Sequence, residues 1–158
     1  MMTEAQPDHI HSKATPHLIA KLLVERQEVL VLLQRLVEMK SYNPVVPVQP
    51  ILQQFCQVLV DYVALGHFEV YQCFENNTKD SEQCRRVKRL AREQYSRIAN
   101  TTQAALDFND RYDRKTHSQP LDTLYADLSK LGEQVATRIE LEDRLIAAMQ
   151  SPVLDSVQ

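Results

Sequence analysis

Apolar side chains recur along this chain at intervals of three and four residues, in four long stretches separated by helix breakers. That is the period of helices with one buried side. In the first stretch Leu18, Ile19, Leu22, Leu23, Val29, Leu30, Leu33, Leu36 and Val37 follow Thr15 and Pro16, an N-cap and a first-turn proline, and predict a helix over about 16–40. Pro44, Pro47 and Pro50 then make 41–50 an extended linker. A second helix is predicted over about 50–76, apolar over most of its circumference. Leu52, Phe55, Leu59, Tyr62, Gly66 and Val70 form one stripe, and Ile51, Val58, Leu65 and Phe68 another, with Asp61 aligned among the second set. Asn76 and Asn77 mark its end, and a sparsely apolar third helix follows over about 80–115. The segment 115–119 predicts a turn, with Ser118 as N-cap and Pro120 near the start of a fourth helix that reaches about Met149, before Pro152. Arg138 and Glu142 interrupt the inner stripe of this last helix one turn apart.

Four long helices joined by short reversals predict an all-α fold, an up-and-down antiparallel four-helix bundle. Residues 15–150 are expected to form this single domain, with a flexible N-terminal tail at 1–14 and a C-terminal tail at 151–158. A chain of 158 residues can bury a core large enough to fold without disulfide or metal. Its two glycines, absence of tryptophan and richness in Leu, Gln, Glu, Arg and Ala agree with helix throughout.

Charge narrows the partners. Eighteen basic against 21 acidic side chains leave a formal net charge of −3, without the basic surplus that phosphate contacts need, so direct nucleic-acid binding is not expected. The local cluster Arg85, Arg86, Lys88, Arg89 and Arg92 reads as a solvated helix face or as a patch for an anion or an acidic partner. Cys56, Cys73 and Cys84 are odd in number and lack CxxC spacing, which predicts free thiols in a reducing compartment. With no apolar run of about 18 residues, the expectation is a cytoplasmic protein off the membrane.

The stretch Val60 to Tyr71 sets an acid, a glycine and a histidine in the middle of an apolar helix, where each costs stability unless something offsets it. A haemerythrin-like metal-binding bundle is one alternative. However, His67 has Ala64 three residues before it and Tyr71 four after it, so it has no carboxylate neighbour on its helix, and no metal or other cofactor is expected. Gly66 and Gly132 both lie inside helices, which leaves no glycine-rich phosphate loop, and no nucleophile motif occurs. An enzyme is therefore not expected. What remains is a polar set, Asp61 and His67 on helix two with Arg138 and Glu142 on helix four. These either pair with one another or with tyrosine hydroxyls and fix helix register, or they support a groove in which Asp61, Leu65 and Phe68 receive a basic amphipathic helix.

The run Phe55-Cys56-Gln57-Val58-Leu59-Val60-Asp61-Tyr62, continuing into Gly66-His67-Phe68-Glu69-Val70-Tyr71, resembles the Rsd/AlgQ family of bacterial anti-sigma regulators, as does Leu141-Glu142-Asp143-Arg144-Leu145-Ile146. The resemblance implies a cytoplasmic helical protein that binds region 4 of the primary sigma factor, occludes its promoter and core polymerase contacts, and frees core enzyme for alternative sigma factors. It also admits an adaptor role toward another cytoplasmic protein, such as a carrier of the sugar phosphotransferase system, and a link to alginate and virulence control in pseudomonads. The family's acidic helix-two position falls on Asp61, its Gly-His-Phe on Gly66, His67 and Phe68, and its Leu-Glu-Asp on Leu141, Glu142 and Asp143. Helix one departs from the pattern, with Ala20-Lys21-Leu22 where the family commonly has Asp-Arg-Trp.

Overall fold

Helix α1 (Pro7–Glu38) opens on a proline, whose fixed φ suits the first helical position. The computed structural model describes residues 7–40, 47–70, 81–113 and 120–150, with the side-chain surroundings of all of these except 7–15 and 68–70. The helix starts well ahead of Thr15 and Pro16, so part of the expected tail is helical. Pro16 lies inside α1 and is exposed, so water can serve the carbonyl that its missing N–H leaves unpaired.

Helix α2 (Val48–Ala64) follows Pro47, an N-cap residue with extended backbone, and runs without a break into a π-helical segment, Leu65–Val70. Helix α3 (Glu82–Tyr112) is capped by Ser81, whose hydroxyl accepts the Cys84 N–H at 3.0 Å. Helix α4 (Leu121–Gln150) starts one residue after Pro120, whose carbonyl accepts the Leu124 N–H at 3.1 Å. The predicted breaks at Asn76–Asn77 and Pro152, the predicted cap Ser118, and Cys73 lie outside the described residues. Cys56 and Cys84 are free and buried.

The molecule is all-helical, with no strand among the described residues. Helix α1 packs on α2 and the π segment, α2 packs on α3, and α3 packs on α4, with α1 also touching α4. One apolar core runs through all four helices, centred on Leu22, Leu52, Phe55, Leu59, Phe108 and Leu128. Phe55 meets Phe108 edge-to-face with ring centroids 5.8 Å apart. Polar contacts hold both ends of the α3–α4 pair. Gln83 donates to the carbonyls of Ala148 and Met149 at 3.2 and 2.8 Å, serving acceptors that the end of α4 leaves open, and at the other end of α3 the Tyr112 hydroxyl donates to Asp127.

Candidate functional site

The polar residues that break the inner stripes of the helices converge on one point beside the π segment. Arg138 on α4 is 1% exposed and spends its guanidinium on three helices. Its Nε donates to Glu142 at 3.0 Å on its own helix, and its Nη1 donates to the hydroxyls of Thr101 and Thr102 on α3 at 3.1 and 2.7 Å. Nη2 reaches the carbonyl of Val63 on α2 at 3.3 Å. The same cation lies 5.4 Å from the centre of the Tyr62 ring. Glu142, also buried, accepts from the Tyr62 hydroxyl at 2.6 Å and from Arg26 on α1 at 3.3 Å, and Arg26 donates as well to Asp143 at 2.9 Å. A buried charge is tolerable only when paired and hydrogen-bonded, and here both members are. Burial, with the charge and hydrogen bond of Glu142 adding to it, drives the pKa of the Tyr62 phenol upward, so Tyr62 acts as a fixed donor.

Gly66 makes this closeness feasible. A Cβ there would lie 2.9 Å from Arg138 Nη2, 3.3 Å from Leu22 Cδ1 and 3.5 Å from a Glu142 oxygen, so only glycine lets the π segment approach the ion pair without displacing it. The wider turn follows directly on Val63 and Ala64, where the backbone carbonyl of Val63 serves Arg138.

Asp61 is outside this network. An α-helix turns about 100° per residue. The buried sector of α2 is set by Ile51, Leu52, Phe55, Cys56, Leu59, Tyr62 and Val63, and this leaves Asp61 on the solvent side. It is exposed, its carboxylate accepting from Gln57 one turn earlier at 3.2 and 3.4 Å. The apolar stripe expected around it is thus corrected, because α2 buries one sector rather than most of its circumference. Leu65 is corrected too. It is 4% exposed, inside the core where the π segment packs against α1, and has no surface to offer a partner. The side chain of Phe68 lies outside the described residues. His67 is half-buried and packs on Tyr95 of α3 with ring centroids 5.9 Å apart. Burial first, and the charge of Arg138 second, hold its imidazole pKa below the ordinary value.

Of the expected polar set, the structure brings Arg138 and Glu142 into direct contact, sets His67 near Arg138, and keeps Asp61 apart. Arg26, Tyr62, Thr101 and Thr102 complete the network; the Tyr62 hydroxyl on Glu142 answers the expected pairing with a tyrosine, whereas Arg26 and the two threonines were not predicted. Three of them carried a signal in the sequence: Arg26 falls between Leu22 and Val29 on the inner stripe of α1, and the Thr101–Thr102 pair falls between Ile98 and Ala105 on that of α3. On the outer side, Gln53, Cys56, Gln57, Val60, Asn109 and Asp113 line a groove of about 320 Å³ between α2 and the end of α3. The thiol of Cys56 is no nucleophile there, since burial, with Asp113 adding, pushes its pKa up to about 12. Among the described residues, no group of three or more His, Cys, Asp or Glu could hold a metal, and no helix is long and apolar enough to cross a membrane.

Comparison with known proteins places these residues in a family context. The model of the family described as regulator of RNA polymerase sigma(70) subunit, Rsd/AlgQ, matches residues 1–150. A protein named Regulator of sigma D from Yersinia enterocolitica is 32% identical over 96 residues, 60% of this chain and 56% of that protein. Its namesake in Yersinia pseudotuberculosis has the same values, and one in Escherichia coli is 31% identical over 97 residues, 60% of this chain and 58% of the relative. The matched region thus spans little more than half the length of these relatives. No solved structure matches the chain significantly.

Proposed function

Since the chain belongs to the Rsd/AlgQ family, we propose that it is a non-enzymatic regulator of transcription that binds the primary sigma factor in the cytoplasm, through region 4, and occludes the promoter and core polymerase contacts of that region. The observation that carries the reading is the exposed carboxylate of Asp61 on α2, four residues before a π segment that is braced from behind by the Arg138–Glu142 network. A promoter-reading sigma segment is basic and helical, and an exposed acid on a rigid helix competes with DNA phosphate for one of its arginines. Asp61 and Phe68 are the proposed partner-facing residues. Leu65, His67, Arg138 and Glu142 support them from inside. The contacts at both ends of the α3–α4 pair suit an up-and-down antiparallel arrangement, which would present α2 and its π segment as one continuous face.

The test is titration of purified region 4 with wild type and Asp61→Ala, followed by calorimetry or anisotropy. A hydrogen bond to a charged group is worth about 1.5–3 kcal/mol, so the variant should bind roughly 10- to 100-fold more weakly. Unchanged affinity in a folded variant refutes Asp61 as the anchor. Absence of wild-type binding refutes the sigma reading, and recovery from lysate of a phosphotransferase carrier without any sigma subunit would replace it with the adaptor role.

A further inference from the structure

The groove between α2 and the end of α3 is lined by one stripe from each helix, around a volume of about 320 Å³. Gln53, Cys56, Gln57 and Val60 follow at intervals of three and four residues on α2, and Asn109 and Asp113 stand one turn apart on α3. Its walls have two characters. Cys56 and Val60 are apolar, the other four carry side-chain oxygens, and no basic residue lines it. Gln57 gives its Nε2 to Asp61, which leaves its Oε1 as an acceptor. Asp61 is the one charged residue of α2, so the groove and Asp61 form a single strip of acceptors joined at Gln57. Asp113 is exposed and ill placed for the fold. It is the C-cap of α3, where the helix dipole presents its negative end, so a carboxylate there costs stability. No basic side chain among the described residues pairs with it, and Arg111, two residues earlier, turns to Asp127 on α4 instead.

A cation from outside the chain relieves that cost. No three metal-ligating side chains stand together among the described residues, so the occupant is not a metal ion. An arginine or lysine side chain has the same division as the groove, a methylene stem for Cys56 and Val60 and a charged head for Asp113 and the amide oxygens. Cys56, which shares the groove with Asp113, precedes Asp61 by five residues, about 7.5 Å along the axis. Two basic residues one turn apart on a partner helix, about 6 Å in rise and on flexible stems, span that distance. We propose that the groove is a second anchoring site for the basic helix that Asp61 engages, with Asp113 as the counter-charge of an arginine or lysine one turn from the side chain bound at Asp61. The inference rests on the sigma reading and adds a selection rule to it: a helix with only one of the two basic residues loses the second anchor.

The experiment titrates purified region 4 with wild type, Asp113→Asn and Asp61→Ala by calorimetry, alongside urea unfolding of each free chain. Asp113→Asn should weaken binding roughly five- to tenfold, between the effect of an exposed ion pair and that of a hydrogen bond to a charged group. The same variant should be as stable as wild type or more so, because it removes a charge from the negative end of α3. A residue with only a structural role gives no such split. Replacing the arginines and lysines of region 4 one at a time by alanine should find one whose loss makes Asp113→Asn silent, a turn away from the one that does so for Asp61→Ala. Unchanged affinity in Asp113→Asn overturns the second anchor, and a weakened Asp61→Ala in the same series leaves the sigma reading standing. Coupling of both acids to one and the same basic residue overturns it as well, as does a loss of affinity that only follows a loss of stability. Wild type that does not bind region 4 brings down both readings together.

Discussion

Replacing Arg138 with methionine preserves most of the stem volume and removes a buried guanidinium that donates to groups on three helices. Glu142 keeps the Tyr62 hydroxyl at 2.6 Å and the longer contact to Arg26, so its charge is not wholly abandoned, whereas Thr102 and the Val63 carbonyl lose the bonds that Arg138 donates. Removing one partner of a buried pair costs about 3–5 kcal/mol, and the remaining support of Glu142 favours the lower end, about 3 kcal/mol. For a chain of this length that is a fall in the thermal midpoint of about 6–12 °C. Removing both charges in Arg138→Met/Glu142→Leu abolishes the stranded carboxylate and should recover about 2 kcal/mol relative to the sum of the single variants. Urea unfolding followed by circular dichroism measures all four corners of the cycle, provided the m-value is constant. A loss below about 1 kcal/mol in Arg138→Met would refute the claim that this pair is a mutual necessity. Additive behaviour in the double variant would refute it equally.

Two further outcomes follow from neighbouring groups. Gly66→Ala gains about 1 kcal/mol of helix propensity but drives a methyl against Arg138 Nη2, which is held by its acceptor; overpacking of this kind costs about 1–3 kcal/mol, so the variant should be less stable in urea. In the Arg138→Met background, where the nearest clashing atom is gone, the same change should be neutral or stabilising. His67 gives a pH signature. Its folded pKa lies below the unfolded value of about 6.5, so no stability is lost above that pH; as pH falls below it, the unfolded chain takes up a proton that the folded chain resists, and stability declines until the folded pKa is passed. His67→Gln should flatten that part of the pH profile of the urea midpoint. An identical profile in the variant would show that burial beside Arg138 and Tyr95 does not perturb the imidazole.

Helix α4 was the most legible element, because its apolar residues keep strict spacing from Leu124 to Ile146 and the two charges that break the stripe, Arg138 and Glu142, must pair to remain there. The start of α1 was misread, since Pro16 suits a first turn as well as an exposed interior position and local chemistry does not separate the two. The stripe drawn through Asp61 failed for another reason. On a helix rich in apolar residues the pattern alone does not say which sector is covered, and burial settles that Tyr62 points inward while Asp61, one residue earlier, points out. The π segment had no sequence signature at all beyond Gly66, whose need becomes visible only once Arg138 is seen against it. Arg26, Thr101 and Thr102 were discoverable as polar residues on otherwise apolar stripes, but only the three-dimensional packing identifies their common partner.

The wider turn at Leu65–Val70 accommodates more residues than an α-turn closed over the same height. Deleting one residue there would let the chain close as ordinary α-helix. The residues just before it have no such slack, because Tyr62 and Val63 are tied to Glu142 and Arg138. An insertion or deletion in the wider turn would move Gly66 from the one place where a Cβ would meet Arg138 Nη2 at 2.9 Å, so a change of length there is felt first by the ion pair behind it.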